Sequence, residues 1–418
     1  MISFLITILK LIIILGVVTT IHEFGHFIIS KAFKIGVGEF SIGFGPKIIQ
    51  KKYKDTMYSL RWIPLGGYCA IEGEGEESDS ENSFAKKSTL QKVLVLIAGV
   101  CFNAILAIVI FLVIAFSLKT VANTNLAKIS DDSILKEYGI KEGDTITKIN
   151  GKNVSLASEL IFDNYTSDSK DLSVSYLQNG VQKDIVIKDA VKDIGYIGVS
   201  FVIAKDNTGT NEIEMVAAGS SAAEAGLKAG DKIVGVNEKD TLTSTEIINI
   251  IRASAGSEVT LKLDRKGEQI LKTLVPNSKK IVDLGIEETG ESKVTLGVAI
   301  TYTIDSIKSI FSSYVELFKG HVKVNEMSGI IGIGEVVSKT DDVSSFFNLM
   351  AIISLAVGIA NILPFPPLDG GKVVIVLGEA ITKKKLSLKA ETIITYIGFG
   401  ALILLTIFVT YNDIVRII

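Results

Sequence analysis

The run from Val93 to Leu118 contains no charged side chain, and its most polar member is Asn103. A helix needs about 20 mostly apolar residues to cross a bilayer. This stretch therefore restricts the chain to a membrane more firmly than any other feature. Thr392 to Tyr411 meets the same requirement. Phe346 to Leu363 is a shorter candidate ended by Pro364-Phe365-Pro366-Pro367, and Ile2 to about Ile29 is a fourth. With 418 residues, 48% of them hydrophobic, and a mean hydropathy of +0.43, the chain is too apolar for an ordinary soluble enzyme. It is also too polar to consist of spans alone, so a membrane core with soluble modules is expected. A net charge of −3 argues against a nucleic-acid binder. Cys69 and Cys101 lack paired spacing, which speaks against a disulfide framework or a cysteine metal site.

The first apolar run is unusual, with Lys10 early and His22, Glu23 and His26 late. A signal peptide is the alternative reading. Against it, there is no basic start or small-residue cleavage site, and apolar sequence continues through Phe27-Ile28-Ile29. Lysine and arginine cluster between Lys31 and Lys92 and again from Lys383 to Lys389, which assigns both loops to the cytoplasm. Four spans then place both termini, and the segment from Lys119 to Asp341, on the extracytoplasmic side of a bacterial cell membrane.

Within that segment, Gly139-Ile140-Lys141-Glu142-Gly143-Asp144 and the strand-like residues up to Asn150 recur as Gly226-Leu227-Lys228-Ala229-Gly230-Asp231 up to Asn237. In each copy Gly-Asp makes a turn and alternating Ile/Val reads as a half-buried strand. A helical stretch (Ser155 to Phe162, Ser244 to Arg252) and a second strand (Leu172 to Leu177, Val259 to Leu263) follow. This pattern resembles the PDZ domain of bacterial proteases. PDZ domains bind extended peptides at a sheet edge; a module that only gates access is the alternative. Beyond the repeat, Ile300, Ile304, Ile307, Phe311, Tyr314 and Phe318 recur at helical spacing, suiting a helix on the membrane surface or one packed on the outer modules.

His22-Glu23-Phe24-Gly25-His26 carries the chemistry. Positions i and i+4 share a helix face, so both imidazoles can reach one ion, with Glu23 beside them to take a proton from water activated by zinc. Ionisable groups inside a span are costly and normally functional; polar glue between helices is the alternative. His321 has no partner motif and reads as a surface residue. A catalytic zinc takes three protein ligands and one open position. The best third ligand is Asp369, in Asn361-Ile362-Leu363-Pro364-Phe365-Pro366-Pro367-Leu368-Asp369-Gly370, where prolines break a helix at membrane depth. Without the histidines, a proline turn with a helix-capping aspartate would be the preferred reading.

H-E-x-x-H in the first span, N-x-x-P-x-P-x-L-D-G before the last and PDZ-like modules between them resemble the site-2 protease family of M50-type intramembrane zinc metalloproteases, in its bacterial RseP/RasP-type branch. Glu39-Phe40-Ser41-Ile42-Gly43-Phe44-Gly45-Pro46, Ile63-Pro64-Leu65-Gly66-Gly67-Tyr68 and Ala98-Gly99 with Asn103 extend the likeness. Val100-Cys101 stands where the family often has Gly-Pro, and Ser328-Gly329-Ile330-Ile331-Gly332-Ile333 lacks the proline of S-G-P-x-G-I.

The resemblance implies Zn2+ held by His22, His26 and Asp369, with Glu23 activating water. It implies that Asn361 and Pro364 hold an unwound substrate, and that Gly43-Phe44-Gly45 belongs to a membrane-reentrant β-hairpin presenting the substrate as an added strand. The fold expected is a polytopic α-helical membrane protein with four transmembrane helices, that hairpin and two tandem β-rich PDZ-like domains. Its expected parts are 1–118 and 346–418 as membrane parts, 119–195 and 196–286 as PDZ-like domains, and 287–345 as an amphipathic membrane-surface segment.

The expected activity is cleavage of single-span membrane proteins, such as anti-sigma factors or signal-peptide remnants, after an upstream site-1-type protease. The PDZ-like modules would filter for substrates already trimmed. A PDZ adaptor with a vestigial metal site is the non-catalytic alternative, although Glu23 would then have no use. A zinc transporter or sensor would need a path of further intramembrane ligands, and none is apparent.

Overall fold

The computed structural model describes every residue except 1, 77, 79, 132, 161–169, 204–208, 218, 241–242, 319–328, 339, 341 and 418. Two compact units emerge. One comprises residues 1–117, 302–319 and 327–418, and the other 118–301 and 320–326.

In the first unit, α1 (Ile2–Ala32) leads into a long hairpin, β1 (Val37–Tyr53) and β2 (Thr56–Ile71), and then α2 (Thr89–Ser117). Two glycines let backbones approach α1 closely. A Cβ on Gly16 would lie 2.7 Å from the Pro64 carbonyl oxygen, and one on Gly25 would lie 2.5 Å from that of Ala98. The hairpin is not a simple ribbon, because Glu39 to Ile42 pair both with Gly67 to Ala70 and with Met57 to Leu60. The strands therefore fold back on themselves, leaving the outer side of residues 67–71 without a strand partner among the described residues. Arg61 pins the fold: its guanidinium donates to Glu39 (2.8 Å), Tyr68 (2.7 Å), Ser41 (3.0 Å) and the Gly45 carbonyl (2.7 Å).

The second unit follows with β3 (Thr120–Ile129), α3 (Ile134–Glu137), β4 (Thr145–Ile149), β5 (Lys152–Asn153), β6 (Leu172–Gln178), β7 (Val181–Ile187), β8 (Val191–Tyr196), β9 (Val199–Ile203) and β10 (Gly209–Val216). It continues through α4 (Ser221–Glu224), β11 (Lys232–Val236), β12 (Lys239–Asp240), α5 (Ser244–Ala253), β13 (Val259–Arg265), β14 (Glu268–Leu274), β15 (Asn277–Val282) and β16 (Ile286–Lys293). The repeat is structural as well as sequential. Asp144 accepts from Lys141 N–H and Gln178 Nε2, and Asp231 accepts from Lys228 N–H and Arg265. Asn150 brackets Ser173 as Asn237 brackets Thr260, both from positive φ (48° and 57°).

Each half has its own core, around Leu126, Ile146 and Leu172 in one and Ile213, Ile233 and Leu261 in the other. The copies differ in where their outer strand comes from. β10 pairs with β9, just before it, whereas β3 pairs with β16, which lies beyond the whole second copy. Both connections across the junction zip together as β8 with β15. Of the helix expected at Ser155 to Phe162, the described residues show a 3-10 turn, Ala157–Leu160, and the end of the stretch lies outside the described residues. Its counterpart is the full helix α5, whose Thr243 and Glu246 form a reciprocal N-terminal cap.

The chain then returns through α6 (Leu296–Phe318), α7 (Ile330–Ser338), α8 (Val343–Asn361), α9 (Asp369–Thr382) and α10 (Leu388–Ile417). In the first unit, Ile14 and Val18 of α1, Ala107 and Phe111 of α2, and Met350 and Ala351 of α8 share one core. On α6, Tyr302, Ile307 and Ile310 pack against that core while Ile300, Ile304 and Phe311 stay exposed. Spacing alone could not separate the face that packs from the face that does not. The Asp413 carboxylate of α10 accepts from the Gly329 and Gly332 N–H groups, which satisfies donors at the start of α7. Ser328 and His321 lie outside the described residues. Among the described residues, four helices are long and apolar enough to cross a membrane: Phe4–Ala32, Thr89–Ser117, Val343–Asn361 and Leu388–Val415.

Candidate metal centre

His22 and His26 project from one face of α1, 7% and 8% exposed. Asp369 arrives from the far end of the chain as the first residue of α9. The N-cap there is Leu368, which offers no side-chain cap, and the Asp369 carboxylate turns toward the imidazoles. Glycine makes the approach possible. A Cβ on Gly370 or Gly371 would lie 2.2–2.3 Å from backbone atoms of Ile362 and Pro366.

Three ligand atoms converge. His22 Nε2 lies 3.0 Å from Asp369 Oδ2, His26 Nε2 lies 3.3 Å from the same oxygen, and the two Nε2 atoms are 3.2 Å apart. Zinc bonded to N and O at about 2.0–2.2 Å in tetrahedral geometry separates its ligands by roughly 3.3 Å. The donor set therefore fits a zinc ion.

The hydrogen bonding accommodates a cation. His26 Nδ1 lies 2.8 Å from the Val95 carbonyl, an acceptor only, so that nitrogen carries the hydrogen. The lone pair of a neutral His26 then points from Nε2 at the Asp369 carboxylate, an arrangement relieved by a cation or by a proton on Nε2. Fixing a ligand tautomer through its second nitrogen is how proteins hold metal-binding histidines. Space for an ion is kept open by Gly99 of α2, where a Cβ would lie 2.6 Å from His26 Nε2 and 2.7 Å from His22 Nε2.

Glu23 follows His22 on the same helix and accepts a hydrogen bond from the Cys69 N–H at 3.0 Å. The outer side of the 67–71 strand thus abuts the acid. A cavity of about 460 Å³ borders this segment, lined by Cys69, Ala70, Ile71, Glu74, Lys372 and Tyr396 among others. One turn beyond Asp369, Lys372 pairs with Glu74 at 2.7 Å.

The remaining expected site residues fall into two groups. Asn361 closes α8 and Pro364 stands in the turn leading to Asp369; the Asn361 amide has no hydrogen-bond partner among the described residues. Gly43 and Gly45 have positive φ (86° and 80°), and Phe44 stacks on Tyr68 with centroids 6.4 Å apart. A Cβ on Gly66 would lie 2.7 Å from the Phe44 ring and 3.6 Å from Thr19 Oγ1, so this part of the hairpin lies against α1 about one turn before His22. Sequence reasoning gave no role to Cys69, Val95, Gly99 or Asn103. The first two act through backbone atoms, which leave no mark in a sequence. Gly99 and Asn103 had a signal in being a glycine and an amide within an uncharged span.

Two histidines and a carboxylate converging beside a glutamate, among membrane-length helices, have the composition of a metal-dependent hydrolase site in a membrane protein. The chain belongs to peptidase family M50, whose profile matches residues 10–405. It is 28% identical to the "Regulator of sigma-W protease RasP" of Bacillus subtilis, covering 98% of each chain. It is 27% identical to the "Zinc metalloprotease RasP" of Geobacillus kaustophilus, covering 99% of each. The "Probable protease eep" of Enterococcus faecalis is 28% identical, over 98% of this chain and 99% of its own. Among solved structures, the HtrA3 PDZ domain aligns with 22% of this chain and 91% of its own at 20% identity, with a TM-score of 0.19, which supports no fold assignment.

Proposed function

We propose that this protein is a zinc-dependent intramembrane endopeptidase of the site-2 type, cutting single-span membrane proteins in or near their membrane segments. The observation that carries the reading is the convergence of His22 Nε2, His26 Nε2 and Asp369 Oδ2 within 3.3 Å of one another, with Glu23 adjoining. Zinc, when bound, supplies Lewis acidity toward the scissile carbonyl and makes the attacking water more acidic. Glu23 accepts the proton from that water and returns it to the leaving amine, with the Cys69 N–H holding one carboxylate oxygen in place. A helical peptide bond is shielded by its own hydrogen bonds, so the substrate must be extended before attack. The unpartnered side of residues 67–71 offers backbone groups for an added strand beside Glu23. Asn361 at the end of α8 and Pro364 in the turn that follows would steady the unwound chain.

Residues 119–195 and 196–286 form two PDZ-like domains, the first completed by the β16 strand, and the part of 287–345 beyond that strand is a membrane-surface segment. The spans are the four membrane-length helices, with 1–118 and 346–418 as the membrane parts. Both termini and the PDZ-like domains lie on the extracytoplasmic side, and the lysine-rich loops face the cytoplasm. Substrates are anti-sigma factors or signal-peptide remnants already shortened by an upstream site-1-type protease. The PDZ-like domains either bind their ends or restrict entry.

The test is Glu23→Gln in the purified full chain. We expect about 10²–10⁴-fold slower cleavage of a single-span substrate with zinc content unchanged. A variant that cuts at the parent rate removes Glu23 from the mechanism. A parent protein that binds no zinc removes the metal centre, and leaves a PDZ adaptor as the reading.

A further inference from the structure

Each ligand histidine has a second ring nitrogen, and their partners differ. His26 is oriented by the Val95 carbonyl. His22 Nδ1 faces the side chain of Asn103, one α-helical turn beyond Gly99 on α2, at 3.4 Å from Nδ2. Asn103 is 0% exposed. With Nδ2 toward His22, the Asn103 Oδ1 is buried without a hydrogen-bond partner. Its backbone is held by α8, where Ser354 donates to the Asn103 carbonyl at 2.9 Å and a Cβ added at Gly358 would lie 3.5 Å from the Asn103 Cβ.

Chemistry decides which end of the amide must face the ring. For His22 Nε2 to present a lone pair to the convergent site, the hydrogen of the neutral imidazole must sit on Nδ1. An amide NH2 directed at that N–H would set two donors against each other. The two ends of an asparagine amide are distinguished only by their hydrogen bonding, and a half-turn puts Oδ1 opposite Nδ1. Either orientation leaves one end of the amide without a partner, but only the turned one gives the other end a complementary group.

We propose that Asn103 is a positioning residue whose side-chain oxygen accepts the His22 Nδ1 hydrogen, setting the tautomer and ring direction of that ligand. It is the side-chain counterpart of what the Val95 carbonyl does for His26. This inference rests on the zinc reading of the site. It goes beyond that reading in assigning a role to a residue that touches neither metal nor substrate. Because the partner is a side chain, His22 can be uncoupled by substitution, whereas the Val95 carbonyl cannot be removed from His26.

The experiment uses the full chain in detergent, loaded with Zn2+ or with Co2+ as a spectroscopic probe, and compares Asn103→Leu and Asn103→Asp with the parent. Leucine keeps the volume and removes the acceptor; aspartate keeps an acceptor. We expect the leucine variant to bind metal on the order of 10–100-fold more weakly in chelator competition, with an altered cobalt absorption band. The aspartate variant is expected to stay close to the parent in both readouts. Thermal unfolding identifies a leucine variant that fails to fold, in which case Asn103→Ala takes its place. Unchanged affinity and spectrum in the acceptor-free variant overturn the proposal. So does equal loss in the leucine and aspartate variants, which would assign Asn103 to packing alone. Absence of metal from the parent itself would instead overturn the zinc reading, so the two failures are distinguishable.

Discussion

Gly99 shows how much one hydrogen atom in place of a methyl group can decide. It faces the His22 and His26 imidazoles, and a Cβ there would lie 2.6–2.7 Å from the two Nε2 atoms, in the space the proposed ion would take. Glycine in the middle of a helix costs up to about 1 kcal/mol relative to alanine. The usual expectation for Gly→Ala on a helix is therefore a gain in stability, and here the site opposes it. Gly99→Ala should lower zinc content well below one equivalent and abolish most proteolysis while the helices remain folded. Metal analysis and far-UV circular dichroism of the same sample check both halves; full zinc occupancy would contradict the reading of Gly99 as a space-keeper.

At the scale of elements, the site depends on how α9 is delivered. The turn 364–367 is held from outside by α10, whose Gly398 would place a Cβ only 1.6 Å from the Pro366 carbonyl oxygen. Gly400, two residues further on, would place its Cβ in open space. Gly398→Ala must push the turn, and Asp369 with it, away from α1. A displacement of about 1 Å near a catalytic centre can cost on the order of 100-fold in rate. We expect a loss of that order for Gly398→Ala and near-parent cleavage for Gly400→Ala. Equal rates for the two would show that α10 does not position the turn.

Across the whole molecule, the two repeat copies make an internal comparison. Burial acts to raise the Asp231 carboxyl, but hydrogen bonds from Arg265 and from the Lys228 N–H outweigh it and hold its pKa below the usual carboxylate range. Its counterpart Asp144 has Gln178 where Asp231 has Arg265. A carboxyl whose pKa is lowered by folding contributes stability above its unfolded value, near 3.9. It loses that contribution as pH falls through the lower folded value. The melting-temperature gap between parent and Asp231→Asn should therefore be widest near neutrality and narrow from about pH 5 to about pH 2. A gap that does not change with pH would assign Asp231 to shape alone. The membrane topology has its own test. A cysteine at Lys384, with Cys69 and Cys101 replaced, should react with an impermeant thiol reagent only once the cytoplasmic side is opened. Labelling of intact cells would reverse the orientation.

Much of this architecture is written locally. Apolar runs of membrane length, Gly-Asp turns followed by alternating strands, and two histidines four residues apart depend on neighbours within one helix or one hairpin. Such patterns survive in a linear reading. The exceptions depend on distant partners. Ser155 to Phe162 and Ser244 to Arg252 look alike in sequence, yet the described residues of the former show a 3-10 turn, Ala157–Leu160, where the latter forms α5. Nothing in the order of residues shows that β16 joins β3 across the whole second copy.

By itself, then, the sequence determined the membrane-length helices, the repeated β unit and the side chains, His22, His26 and Asp369, that converge. Tertiary structure alone decided that Asp369 meets His22 from 347 positions away, and that the Val95 carbonyl and Asn103 stand behind the two imidazoles. It also decided that the Cys69 N–H, in the strand 67–71, donates to Glu23. The reason is physical. Periodicity fixes which way a side chain points from its own helix or strand, while which element lies opposite is set by close packing and hydrogen-bond pairing among segments far apart in the chain.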